Sequence, residues 1–238
     1  MAPSSPLIPS IAAVAINILK EKKKMNKKSV EIEGIQPLRK EDLPHAVASL
    51  TDAFRDDPCL KYLLRSVEYD QEKAKYIHEY TLRYGFRFGH VFTTGKNMEG
   101  ISIWLPPESR NSPLSTAWMF ICSGGLKLDK RVNPGTIEIF KKYGDYSGEL
   151  HHQSITKPHW YLMSIGVSTA FQGQGFARKL LIPMLNYFDT HLQSCYLETH
   201  NPRNVEIYQK YGFEVATTGT LPDSEQTHWS MVRKPVSK

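Results

Sequence analysis

Cysteine is scarce in this chain. Cys59, Cys122 and Cys195 are the only three in 238 residues, an odd number at wide spacing. No disulfide framework or metal-ligating pair can be read from them. The pattern fits a reducing compartment, with each thiol standing as a small apolar side chain. A membrane-spanning run is absent too. Leu7 to Leu19 is apolar over 13 residues but is interrupted by Pro9, Ser10 and Asn17, and a helical span needs about 20 residues. Nor does the body of the chain carry a surplus of charge. Of the net +6, most sits in residues 1–30, with six lysines and one glutamate, whereas the remainder holds 24 basic and 23 acidic groups. That balance leaves no electrostatic footprint for nucleic acid. No Gly-Lys-Ser/Thr run, dinucleotide fingerprint or internal repeat occurs.

What is present begins with a basic tail over residues 1–28. Ile8, Ile11, Ala12, Ala15, Ile16 and Leu19 recur at helical spacing ahead of the cluster KEKKKMNKK. The charge follows the apolar run instead of preceding it, contrary to a secretory signal. Three readings are open: a weak membrane-surface or targeting segment, a segment docked on the domain, and a flexible extension with Met25 as an alternative start. The expectation is the last, with one domain over residues 29–238, cytoplasmic and without stable membrane insertion. A hydrophobic content of 40% is ample for its core.

The body mixes both periodicities. Val30 to Leu38 alternates weakly and suggests a first strand. Leu43, Ala46, Val47, Leu50 and Phe54 share one helical face behind Asp42 as N-cap, and Asp57-Pro58 stops that helix. Tyr69 to Phe88 is a second helix, rich in aromatics that either fill a core or line a pocket. His90–Thr94 and Gly100–Leu105 form a hairpin closed by Pro106-Pro107. Residues 107–158 are the least patterned. Leu114–Leu126 and Thr136–Tyr143 look helical around a charged turn, and the segment is expected as a helical insertion over the sheet. Tyr161–Val167 is a strand, Gly175–Thr190 a helix interrupted by Pro183, and Ser194–Glu198 a strand. Asn201-Pro202 opens a short helix closed by Gly212, and Val215–Leu221 and Thr227–Val232 are the last strands.

Two stretches carry chemistry. In Trp160–Ala177, a strand leads into Gln172-Gly173-Gln174-Gly175-Phe176-Ala177 and then a helix. Glycines permit tight bends and close backbone approach, and a helix start offers N–H groups and a partial positive charge to a phosphate. Taken alone, such a loop is ordinary. The second stretch, Tyr196 to Phe213, is a strand, an Asn-capped helix and a closing Gly-Phe.

Together the two resemble the Gln/Arg-x-x-Gly-x-Gly/Ala loop and the strand–Asn–helix–Tyr–Gly-Phe block of the GNAT N-acetyltransferase superfamily. IQPLRKEDLPHAVASLTDAFRDDP, Trp104-Leu105-Pro106-Pro107-Glu108, WYLMSIGVS, LETHNPRN and THWSMVRKP extend the resemblance to puromycin N-acetyltransferase-like proteins over residues from about 35 to 235. The tail has no counterpart, and His200 and the middle insertion depart from that pattern.

The resemblance implies an α/β (α+β) fold: a mixed, mostly antiparallel twisted sheet of about seven strands, with helices on both faces and two central parallel strands splayed apart. It implies acetyl-CoA as co-substrate and direct attack by an amine, with no metal. Backbone around Ile165, Gly166 and Val167 would hold the pantetheine, with the Val167 N–H at the thioester oxygen. Gln172, Gly173, Gln174, Gly175, Phe176, Ala177 and Arg178 would hold the pyrophosphate. Asn204 would bond the pantetheine or cap its helix. Tyr208 matches the family's catalytic tyrosine, the expected acid for the leaving thiolate, and Glu198 is the candidate base, directly or through water. Trp104, Tyr161 and His200 are expected near the acceptor. The expected partner is a small-molecule amine, the chain acting as monomer or homodimer. A protein or peptide acetyltransferase and a silent acyl-CoA-binding regulatory domain are the alternatives.

Overall fold

A computed structural model describes residues 31–66, 68–107 and 113–236. The tail over residues 1–28, Met25, Val30 and Glu108 lie outside the described residues. The strands are β1 (Gln36–Pro37), β2 (His90–Thr93), β3 (Gly100–Leu105), β4 (His159–Val167), β5 (Ser194–Thr199), β6 (Glu214–Thr220) and β7 (Thr227–Arg233). They form one sheet in the order β1-β2-β3-β4-β5-β7-β6. Every pairing is antiparallel except β4 with β5.

That parallel ladder is short. It joins His159–Leu162 to Ser194–Leu197 and stops, although β4 runs on to Val167 and β5 to Thr199. A bulge on the other side of β4 accounts for the parting. Ile103 of β3 faces Ser164 and Trp104 faces Leu162, so Met163 is the extra residue. A bulge bends its strand and sharpens the local twist. Beyond Met163, β4 therefore diverges from β5, as expected of a splay between two central parallel strands.

The helices are α1 (Leu43–Ala53), α2 (Pro58–Leu64), α3 (Gln71–Phe88), α4 (Pro113–Cys122), α5 (Leu128–Arg131), α6 (Thr136–Ser154), α7 (Phe176–Thr190) and α8 (Pro202–Gln209). One sheet face is covered by α7 and α8. Its apolar layer joins Trp104, Trp160, Leu162, Cys195, Leu197 and Met231 to Leu180, Leu181, Met184 and Phe188 of α7. The spacing of those α7 residues is the helical stripe visible in the sequence. The helix continues through Pro183 without a break. On the opposite face, α1 packs on β3 and β4, α3 on β2 and β3, and α6 on β6 and β7. Gly166 makes the α1 contact possible: a Cβ there would stand 2.8 Å from Phe54 Cε2 and 2.9 Å from Leu50 Cδ2.

Three local expectations are corrected. The first strand shrinks to Gln36–Pro37, because Gly34 takes a left-handed φ of 90° and turns the chain. Ile32 and Ile35 are then both buried, at a spacing that an alternating strand would not allow. Pro58 opens a helix as well as ending one, with Asp57 as its N-cap accepting from the Leu60 N–H at 2.9 Å. The helix expected over Thr136–Tyr143 runs to Ser154.

Candidate active site

The β4–α7 loop has the backbone geometry that an anion site needs. Gly173 and Gly175 have φ of 76° and 82°, a left-handed region that other residues enter at a cost. Nothing lies within 4 Å of where a Cβ would stand at either one, so both backbones face open space. Gly175 occupies the N-cap of α7 and offers no side chain to the first helical N–H groups. A cavity of 470 Å³ beside them is lined by Gly34, Gln174, Arg178, Lys179 and Ile182, with basic but no acidic groups among the described residues. Gln172 and Gln174 turn inward and brace the loop, donating from Nε2 to Val167 O and Ala170 O, each at 3.1 Å.

Asp52, at the end of α1, supplies a second brace that the sequence reading missed. Its carboxylate accepts from Ser168 Oγ at 2.6 Å, from the Thr169 N–H at 2.6 Å and from Thr169 Oγ1 at 2.8 Å. Partial burial works against its charge, but these bonds outweigh that and hold its pKa below the usual range. Above the loop, Met163 to Val167 has no β5 partner. An uncapped helix start next to a strand edge without a ladder partner fits coenzyme A, whose pyrophosphate is anionic and whose pantetheine carries amides. Ile165, Gly166 and Val167 all lie along that edge.

Glu198 sits where β5 leaves β4, on the α6 side. It is the hub of a buried cage. Tyr143 and Tyr161 donate to Oε1 at 2.8 and 3.0 Å, and Ser147 and Tyr196 donate to Oε2 at 2.7 and 3.1 Å. Four donors occupy the four lone-pair positions of an ionised carboxylate. Burial opposes the charge, yet His228, Ser147, Tyr143 and His200 together pull the pKa down to about 2. The Tyr143 hydroxyl is pushed well above the ordinary range, first by burial and then by Cys59 and Glu198 nearby. Burial and the flanking Asp57 and Glu198 likewise raise the Cys59 thiol, so it stays protonated and is no nucleophile.

The cage continues through two histidines. Tyr196 OH lies 2.9 Å from Ser230 Oγ, Ser230 Oγ lies 3.0 Å from His228 Nε2, and His228 Nδ1 lies 3.1 Å from His200 Nε2. His200 directly follows β5, and its ring stands 5.8 Å from that of Tyr143. Burial lowers the His200 pKa to about 4 and lowers that of His228 as well.

The remaining expected residues divide. Tyr208 of α8 is buried against Phe213, its hydroxyl makes no hydrogen bond to a described residue, and burial raises its pKa strongly. Asn204 donates to Thr199 Oγ1 at 3.3 Å and so ties α8 to β5. Tyr161 is within the Glu198 cage. Trp104 is elsewhere: it is fully buried in the apolar layer under α7, edge-on to Phe188, with Nε1 donating to Ser102. The sequence reading missed Tyr143, Ser147, Tyr196, His228 and Ser230. A usable signal was there: Tyr196 with Glu198, and His228 with Ser230, are polar pairs two apart, each on one face of its strand.

Comparisons with known proteins bear on the family and the fold. The profile of the Acetyltransferase (GNAT) family matches residues 127–213. An uncharacterized N-acetyltransferase of Schizosaccharomyces pombe is 31% identical over 191 residues, covering 72% of this chain and 70% of that protein. Among solved structures, a histone acetyltransferase HPA2 and related acetyltransferase from Corynebacterium glutamicum superposes with a TM-score of 0.53 at 19% identity, covering 86% of this chain and 97% of that one. An insect putative arylalkylamine N-acetyltransferase 7 from Aedes aegypti gives 0.55 at 13% identity, covering 84% and 86%. At these identities the structural matches speak for the fold alone.

Proposed function

From a chain that belongs to the GNAT acetyltransferase family, and is therefore an acetyl-CoA-dependent acyltransferase, we infer a small-molecule amine as the acceptor. The observation that carries this reading is the roof over the reaction site. Tyr143 and Ser147 of α6 reach down to Glu198, and Cys59 of α2 lies against Tyr143. Glu198 itself is only 9% exposed. A long peptide needs an open groove, whereas a small amine suits a covered pocket lined with aromatic rings and hydroxyls.

The bound thioester supplies an activated acetyl carbon. Gly173, Gly175 and the first N–H groups of α7, with Arg178, would hold its pyrophosphate, and the Met163–Val167 edge would line the arm. Val167 N–H is assigned to the developing oxyanion. Tyr208 is assigned as the acid for the departing thiolate, since its unbonded hydroxyl keeps its proton at neutral pH. Glu198 was expected as the base. With every lone pair already engaged and a pKa of about 2, it is assigned an electrostatic part instead. Its fixed negative charge, conveyed by Tyr143 and Tyr161, favours positive charge on the attacking nitrogen.

The test is a panel of amines incubated with acetyl-CoA and followed by release of the CoA thiol. Aryl amines, alkyl amines, puromycin and peptides with free N-termini belong in it. Turnover with at least one small amine is expected. Turnover with peptides alone would overturn the small-molecule reading, and acetyl-CoA binding without any turnover would favour a regulatory domain.

A further inference from the structure

We propose that His200 is the group that takes the proton from the attacking amine, and that Glu198 holds His200 in the right tautomer through Tyr196, Ser230 and His228. The inference rests on the acetyl-transfer reading and adds a catalytic residue with three positioning residues to it.

The tautomers follow from counting protons. An ionised carboxylate only accepts, so Tyr196 donates to Glu198 Oε2. The single Tyr196 proton is then spent, and Ser230 must donate to the Tyr196 oxygen. That spends the Ser230 proton, so His228 Nε2 must carry the hydrogen that bonds Ser230 Oγ. A neutral ring has one N–H, which leaves His228 Nδ1 bare, and it accepts from His200 Nε2–H. His200 Nδ1 is thereby left with its lone pair. It bonds no described residue, and it is not among the sealed, partnerless polar atoms of the interior. It stands at the end of β5 where the parallel strands have parted, which is where the amine must meet the thioester.

The groups facing the two rings agree with this role. Tyr143 and Tyr146 approach from α6, Tyr196 and Glu198 from β5, Ser230 from β7, and beyond Tyr143 the protonated Cys59 from α2. Among the described residues, Glu198 is the only carboxylate that directly faces this pair, and its Oε2 lies 4.0 Å from His228 Nε2.

The chemical step balances. As the amine nitrogen bonds to the acetyl carbon it becomes cationic and acidic. Its N–H bond breaks, the electron pair remains on nitrogen as the amide lone pair, and a new N–H bond forms at His200 Nδ1. His200 passes its Nε2 proton to His228 Nδ1, placing the imidazolium charge beside Glu198. The C–S bond electrons leave on sulfur, which takes the Tyr208 proton. After release, His228 returns its proton through His200 to water, and water reprotonates Tyr208.

Two measurements on the full chain test this. In ¹⁵N spectra of the resting protein, both His200 and His228 should be Nε2–H tautomers, and Tyr196→Phe should let the Nδ1–H form of His228 appear. An Nδ1–H tautomer of either ring in the wild type would overturn the proposal. In thiol-release kinetics with the fastest amine of the panel, His200→Ala should lower kcat by about 10-fold or more near pH 7. The loss should shrink as pH rises, and added imidazole should restore turnover. An unchanged pH profile without imidazole rescue would also overturn it. If the wild type acetylates no amine, the acceptor reading fails, while the tautomers still report on the relay.

Discussion

The layers under α7 and under α6 lean on the same strands and are made of opposite materials. Under α7, Trp160, Leu162, Cys195, Leu197 and Met231 meet leucines, a methionine and Phe188, and Trp104 keeps its indole N–H on Ser102. Under α6, the intervening positions of those strands present Tyr161, Tyr196, Glu198, His228 and Ser230. Strand alternation separates the two. A dry layer tolerates any apolar group of the right volume, whereas a buried polar layer works only if each proton has one destination. The first layer therefore gives the fold its stability, and the second is the one to which the chemistry is assigned.

The sharpest test of that division removes a ring from the dry layer. Phe188 is fully buried between Trp104 and Trp160, with ring centroids 5.4 and 5.5 Å away. Phe188→Ala should cost about 3–5 kcal/mol in urea unfolding. Turnover per folded molecule should change little. A large loss of kcat with stability intact would mean that the two layers are not separate in function.

The polar layer answers to pH instead. Glu198 has a depressed pKa, so its contribution is complete above the unfolded carboxylate value and disappears as pH falls through about 2. The size expected from that shift is about 3 kcal/mol. His200 adds an earlier window. Its neutral form is the favoured one, so that contribution is present above about pH 6.5 and is lost as pH falls through about 4. Urea unfolding of the wild type should weaken in both windows. Glu198→Gln should be less stable than wild type at pH 7 and should lose the part of its dependence on pH below 4.5 that Glu198 supplies, because four hydroxyls then face a neutral amide. Parallel acid profiles for the two proteins would remove Glu198 as the charged hub.

The contrast also explains what could be read from the amino acids. Leu180, Leu181, Met184, Leu185 and Phe188 announce α7, because an apolar stripe has a period. Most of α6 after Tyr143 was not legible. Its buried positions include Ser147 and His151 with Leu150, and Gly144 and Gly148 interrupt it. Polar residues satisfied by a distant cage look like solvent-facing residues until the partners are known. The glycine loop leading into α7 was legible because its form is set by local backbone geometry at Gly173 and Gly175. The Glu198 cage was not, since Tyr143, Ser147, Tyr161, Tyr196 and His228 come from four separate elements. Trp104 illustrates the converse: the family resemblance set it near the acceptor, and strand register turned it to the core.

Tyr208 is where the division could break. It packs in the dry layer with Phe213, but its hydroxyl has no hydrogen bond to a described residue and is assigned to the chemistry. Tyr208→Phe preserves the packing and deletes only the oxygen. Turnover should fall by about 100-fold, equivalent to about 2.7 kcal/mol, with the KM for acetyl-CoA nearly unchanged. Unchanged turnover would return Tyr208 to a packing role.

The smallest expected effect lies at the cleft end, where neither layer reaches. Asp52 is more than a quarter exposed, with 27% of its side chain open to solvent, and it also pairs with Arg55 at 3.0 Å. A surface ion pair of that kind contributes little, about 0–1 kcal/mol. Its bonds to Ser168 and Thr169 matter differently, because they tie the end of α1 to the loop assigned to the pyrophosphate. Asp52→Ala should thus barely move the unfolding midpoint. The loop's N–H groups would no longer be held ready, and part of the binding energy would go to ordering them. The KM for acetyl-CoA should rise by about 3- to 10-fold, close to 1 kcal/mol, while kcat stays the same. A fall in kcat at constant KM would place Asp52 with the reacting groups rather than with the loop, and the cleft end would then belong to the polar layer after all.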